Sequence, residues 1–146
     1  MIIYCELSEG TMNRKTAREN AFLLLFEDVA RKNDNAEEIF TLATEERELE
    51  TDDYVKKVYF GVCEHREEID RVIGECLVGW KRERISVTSS AILLLGVYEL
   101  MFCPDIPAKV TINEGIELSK KFDDEKAYLF VNGVLNAAAD KLGKKE

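Results

Sequence analysis

The chain has 146 residues, 46% hydrophobic and 34% charged, with 20 basic against 29 acidic residues, a single His and a net charge of −9. This composition describes one soluble globular domain with enough apolar side chains for a core, and not a disordered chain. The acidic balance excludes a general nucleic-acid coat, which needs clustered positive charge, but leaves room for a local basic patch.

The opening Met1-Ile2-Ile3-Tyr4-Cys5 lacks a basic start and runs into Glu6, which does not make a secretory signal. Arg14, Lys15 and Arg18 open a first helix whose buried stripe is Ala17, Ala21, Leu24, Leu25 and Val29. From Asn33 to Glu50 the chain is acidic around Ile39, Phe40, Leu42 and Ala43, which predicts a short helix and a polar loop. Thr51-Asp52-Asp53 is a helix start, since a side-chain oxygen satisfies a free amide and acids suit the positive end. Val55, Val58, Tyr59 and Val62 then recur at helical spacing. Ile69, Val72, Ile73, Cys76, Leu77 and Trp80 do so again, and are expected as a second core face.

Ser86 to Ser90 supplies further caps before Ala91 to Cys103, whose nearly all-round hydrophobicity marks the central helix of a bundle. Its apolar run stops at Glu99, well short of the ~20 residues that span a bilayer, so a cytoplasmic chain without a membrane span is expected. Both prolines fall in Pro104-Asp105-Ile106-Pro107, the one strong break. Two helices follow, with stripes at Ile112, Ile116 and Ser119, and at Ala127, Tyr128, Val131, Val134, Leu135, Ala138 and Leu142. The pattern is all-α, about seven helices, with no internal repeat of 20 to 50 residues.

Chemistry is sparse. Cys5, Cys63, Cys76 and Cys103 contain no C-x-x-C pair and are expected as reduced, mostly buried thiols, with no metal site. The lone His65 sits among Glu64, Arg66, Glu67 and Glu68 on what reads as a solvated helix face, a poor setting for a catalytic base. The eight glycines form no phosphate-binding loop, so no nucleotide cofactor is expected. Adjacent acids such as Glu67-Glu68 diverge by about 100° on a helix and suit surface charge better than acid–base work. An enzyme is not expected.

One pattern does stand out. Arg14 and Arg18 share the angular sector of Ala21, Leu25 and Val29, so the first helix's stripe turns from apolar to basic. A first turn that projects past the core would present two guanidinium groups, suited to phosphate and base stacking, to a partner. The alternative is an ordinary helix start with snorkelling Arg side chains.

These residues belong to a wider resemblance. Arg14-Lys15-Thr16-Ala17-Arg18-Glu19 precedes an apolar helix, Ile69-Asp70 leads to Trp80, and Glu83-Arg84-Ile85 follows. Ala91-Ile92-Leu93 leads to Tyr98-Glu99-Leu100, Ile106-Pro107 to Ile112-Asn113-Glu114, and the chain closes on Phe130-Val131-Asn132-Gly133-Val134-Leu135. From about Asn13 to Leu142 the chain resembles the bacterial transcription antitermination factor NusB family. The resemblance implies two small packed helical bundles without catalysis. It also implies binding of single-stranded boxA RNA with small-subunit ribosomal protein ten (NusE), within the antitermination complex of RNA polymerase on ribosomal RNA operons.

On the RNA side the resemblance points to Arg14, Lys15 and Arg18 as phosphate and base contacts, Phe130 as a stacking surface, and Lys126 as an RNA-proximal position. Phe130 also lies at roughly 300° on its helix, the edge of the buried stripe. On the ribosomal-protein side it points to Phe26, where the family often has Tyr, and Ser89, where it often has an acid. A further departure is Leu94, where the family usually keeps an Arg. Residues 1–11 lie outside the resemblance and read as a leader, with Met12-Asn13-Arg14-Lys15 resembling a natural start, so that 12–146 is a single domain. An acidic body suits a basic ribosomal partner. Two other classes stay open: a protein-only helical adaptor or homodimer that hides its basic turn in a self-interface, and the docking domain of an RNA-modifying enzyme, for which 146 residues leave no catalytic domain.

Overall fold

The computed structural model describes residues 12–32 and 35–144; the expected leader and Cys5 lie outside them. Seven α-helices follow one another among the described residues: α1 Arg14–Arg31, α2 Ala36–Thr41, α3 Asp53–Glu64, α4 Arg66–Glu75, α5 Val87–Phe102, α6 Ala108–Phe122 and α7 Ala127–Lys141. The all-α expectation holds.

Local chemistry sets most of the starts. Asn13 caps α1 by accepting the Thr16 N–H at 2.8 Å, and Asn35 caps α2 by accepting from Glu37 and Glu38. Asp52 caps α3 through the Val55 N–H, and Ser86 caps α5 through the Ser89 N–H. α6 begins behind Pro107, whose missing N–H and fixed φ cost nothing at a helix entry. The acidic segment is the expected short helix, α2, run on into a π turn over Leu42–Glu46.

α5 is the axis of the molecule. Every residue from Ser89 to Leu100 is buried, and the helix packs against α1, α3, α4, α6 and α7. α1 and α3 pack on it as one group, with α2 against α1, and α4, α6 and α7 as the other. Leu135 of α7 sits where two glycines let helices close in. A Cβ at Gly96 would stand 2.8 Å from its Cδ2, and one at Gly115 only 2.7 Å from its Cδ1.

Two expectations need correction here. Ile69, Val72, Ile73 and Cys76 are buried as expected, but α4 ends at Glu75 and Trp80 is 56% exposed. The helix is already closed at Cys76, before the periodicity reaches Trp80, and Gly79 at φ +78° then turns the connecting segment. His65 is half-buried, not solvated: it closes α3, with Nδ1 at 2.7 Å from Glu68 and its ring centroid 4.4 Å from Phe102. Cys76 and Cys103 are buried and Cys63 half-buried, all as free thiols. Among the described residues no helix is long and apolar enough to cross a membrane.

Candidate nucleic-acid interface

The sequence-derived site residues occupy three separate places: an exposed helix entry and two depressions. The first is the entry to α1. Arg14 is exposed, and its guanidinium carbon stands 4.4 Å from the centroid of the Tyr54 ring. Lys15 is also exposed, with Nζ 3.7 Å from Glu114 of α6.

Arg18 corrects the expectation of two displayed guanidinium groups. Its side chain is 6% exposed, and Nε donates to Glu99 Oε2 at 2.8 Å while a terminal nitrogen lies 3.4 Å from Oε1. Glu99, wholly buried in α5, also accepts the Tyr54 hydroxyl, and accepts the Thr111 hydroxyl at 2.7 Å. Burial by itself lowers the Arg18 pKa, but the hydrogen bond and charge of Glu99 outweigh it and hold it above its ordinary value. Arg18 therefore stays charged in the interior. Burial first, then the charge of Glu99 and the hydrogen bond to it, push the Tyr54 phenol far up, so its hydroxyl is a permanent donor.

The second is a cleft of about 500 Å³ where α7 begins beside the start of α5. Lys126 stands exposed at its rim as the residue before α7. Phe130, one turn on, is half-buried, with its ring centroid 5.1 Å from that of Trp80 at 58° between planes. Arg84 and Leu129 complete the wall. Ser89 opens on the same cleft but is 5% exposed, and its hydroxyl donates to Asp123 Oδ2 at 2.9 Å. So Ser89, expected on the protein side, shares a wall with Phe130 and Lys126, expected on the RNA side.

The third, a depression of about 440 Å³, runs along α1 between Leu23, Phe26, Ala30, Ala43 and Leu49. Phe26 is 38% exposed and Leu23 40%, an apolar lining open to solvent. The structure does not bring Phe26 and Ser89 into one cleft.

Three participants were not singled out from sequence: Tyr54 and Glu99, which tie the α1 entry to the core, and Trp80, expected inside. A signal for Glu99 existed. A lone acid in an otherwise all-apolar helix has to find a cation or strong donors, and Arg18 lies in a buried sector.

Comparison with known proteins adds the wider context. The NusB family model matches residues 15–140. The chain is 45% identical over 126 residues to the transcription antitermination protein NusB of Bacillus pumilus, covering 86% of this chain and 93% of that one. Among solved structures it is similar to T. maritima NusB, at 32% identity and a TM-score of 0.79, covering 90% of this chain and 93% of that one. It is also similar to a chain in a crystal structure of the antitermination factors NusB and NusE in complex with double-stranded RNA, at 35% identity and a TM-score of 0.77, covering 88% and 96%.

Proposed function

The chain belongs to the NusB family, and from that premise we propose that it is a cytoplasmic, non-enzymatic antitermination factor that binds single-stranded boxA RNA together with ribosomal protein ten (NusE). In this reading it holds RNA polymerase in a processive state on ribosomal RNA operons. The observation that supports pairing with NusE and RNA is the similarity over nearly the whole chain to the NusB chain solved with NusE and double-stranded RNA; the single-stranded boxA target is what the sequence resemblance implies. The distribution of charge supports it: the body is acidic, as suits a basic ribosomal protein, while exposed Arg14 and Lys15 form a small basic entry for phosphate.

The residues divide between the two partners. Arg14, Lys15 and Lys126 meet phosphates, and Phe130 offers an unpaired base the face that Trp80 leaves free. Arg18 orders the α1 entry from within. Phe26 and the groove beside it take the ribosomal protein; at position 89 the hydroxyl is already engaged, and the charge offered there is that of Asp123. The exposed apolar lining of the Phe26 groove also favours a second reading, self-association of the free chain through that groove.

The test is a titration of boxA, scrambled and double-stranded RNA, with and without ribosomal protein ten, with light scattering on each mixture. Weak, salt-sensitive binding alone and tighter, boxA-selective binding with the partner are expected. Equal affinity with and without the partner would overturn the cooperative assignment. A free dimer that the ribosomal protein dissociates, with both contacts weakened by Phe26→Ala, would place both on the Phe26 groove.

A further inference from the structure

We propose that Tyr54 is a positioning residue for RNA binding, holding the Arg14 guanidinium on its ring face at the α1 entry. The inference rests on the assignment of Arg14 to RNA.

Arg14 heads an exposed helix end and carries a long side chain, which would lose much rotamer freedom on meeting a phosphate. Among the described residues it forms no ion pair, in contrast to Lys15 with Glu114 and Arg18 with Glu99. Its contact is the Tyr54 ring, at 4.4 Å from the centroid, well within the reach of a cation–π attraction. Such a contact uses the cation's charge and consumes none of the guanidinium's N–H donors, so all remain for phosphate oxygens.

Tyr54 itself is anchored in the core. It is 9% exposed, lies at the capped start of α3, and its hydroxyl donates to Glu99 in the core. Glu99 is pinned in turn by Arg18 and Thr111, and the Arg18 guanidinium carbon also approaches the Tyr54 ring, at 5.8 Å. A buried network thus ends in an aromatic face at the surface, and the displayed cation rests on it. The network's role is to present Arg14 already ordered.

The experiment is a double-mutant cycle, read as affinity for single-stranded boxA RNA well below each variant's melting point, combined with NMR of the Arg14 side chain. Tyr54→Leu removes the face and should weaken binding about two- to fivefold, the equivalent of an exposed cation–π contact. In an Arg14→Ala background the same change should have no further effect. Tyr54→Phe keeps the face and should bind RNA like the unmodified protein even though it melts lower. A purely structural Tyr54 would lower stability in every background without this coupling. In the unmodified protein the Arg14 δ-protons should show an upfield ring-current shift and the Nε a restricted order parameter, which holds the proposal to account even if Tyr54→Leu fails to fold. A freely mobile Arg14, or an equal loss from Tyr54→Leu with and without Arg14, overturns the positioning role alone. An Arg14→Ala protein that binds RNA normally overturns the assignment of Arg14 to RNA, and the positioning role with it.

Discussion

Arg18 and Glu99, 81 positions apart in the chain, meet in a salt bridge of 2.8 Å inside the protein, joining the helix that bears the basic entry to the central helix. A charge pair taken out of water recovers its desolvation cost only with good geometry and further hydrogen bonds. Here Thr111 and Tyr54 supply them, both donating to Glu99. The pair, with the Tyr54 hydroxyl, ties α1 and α3 to α5.

Glu99→Gln should accordingly destabilise the protein by about 3 to 5 kcal/mol, because it strands the Arg18 charge in the interior. Arg18→Met combined with Glu99→Gln should recover most of that loss, since no unpaired charge remains, one of the Tyr54 and Thr111 hydroxyls still donates to the amide oxygen, and the other can turn to accept from the amide NH2. Urea unfolding of the single and double variants measures both. A double variant as unstable as Glu99→Gln would place the cost in the hydroxyl bonds and not in the stranded cation.

Phe130→Ala separates stacking from packing. A ring that stacks on a base should cost about 1 to 3 kcal/mol of RNA affinity when removed. Its half-buried position against Trp80 limits the stability loss to less than the ~3 to 5 kcal/mol of a fully buried Phe. Salt titrations distinguish the roles further. Arg14→Ala should flatten the slope by roughly 0.7, and Phe130→Ala should leave it unchanged. An unstable Phe130→Ala protein with normal RNA affinity would leave the basic entry as the RNA contact.

Two glycine substitutions should act in opposite directions. Gly96→Ala drives a methyl to 2.8 Å from Leu135, whose other methyl is already confined beside Gly115, and should cost about 1 to 3 kcal/mol as overpacking. Gly133→Ala meets nothing within 4 Å on the exposed side of α7 and should stabilise by about 0.5 to 1 kcal/mol through helix propensity. Thermal melts of the two variants decide. Equal signs would mean that α7 shifts to absorb the added methyl.

Cys63 should be a poor nucleophile despite its partial exposure. Burial, then the charge of Asp28 and the hydrogen bond to it, push its thiol up to about 12. At pH 8 that leaves on the order of a thousandfold less thiolate than an ordinary thiol carries. Alkylation by iodoacetamide, followed at the Cys63 peptide by mass spectrometry, should be slow in the folded protein and fast in urea, and Asp28→Asn should speed the folded reaction. Equal folded and unfolded rates would show that the thiol opens to solvent.

Helix identity was legible in the amino-acid sequence wherever its cause was local. Asp52 and Ser86 cap within a few residues of themselves, the apolar run of α5 needs no partner to declare itself buried, and Pro104 and Pro107 break the chain by their own geometry. The ordered motifs from Arg14 to Leu135 likewise pointed to the family without a fold in hand.

Tertiary structure decided what the same side chains do. Arg18 shares its helical sector with Ala21 and Leu25, and periodicity alone cannot say whether a cation there reaches solvent or an acid 81 residues away. The spacing of α4 runs on through Trp80, but the helix stops at Glu75 and the chain that follows leaves the ring beside Phe130. The Ser89 hydroxyl lies within the first turn of its helix, yet its acceptor, Asp123, arrives from 34 positions on. Caps, breaks and stripes are set by neighbours along the chain. The choice between a displayed charge and a buried one is set by desolvation and by partners that only folding brings within hydrogen-bond reach.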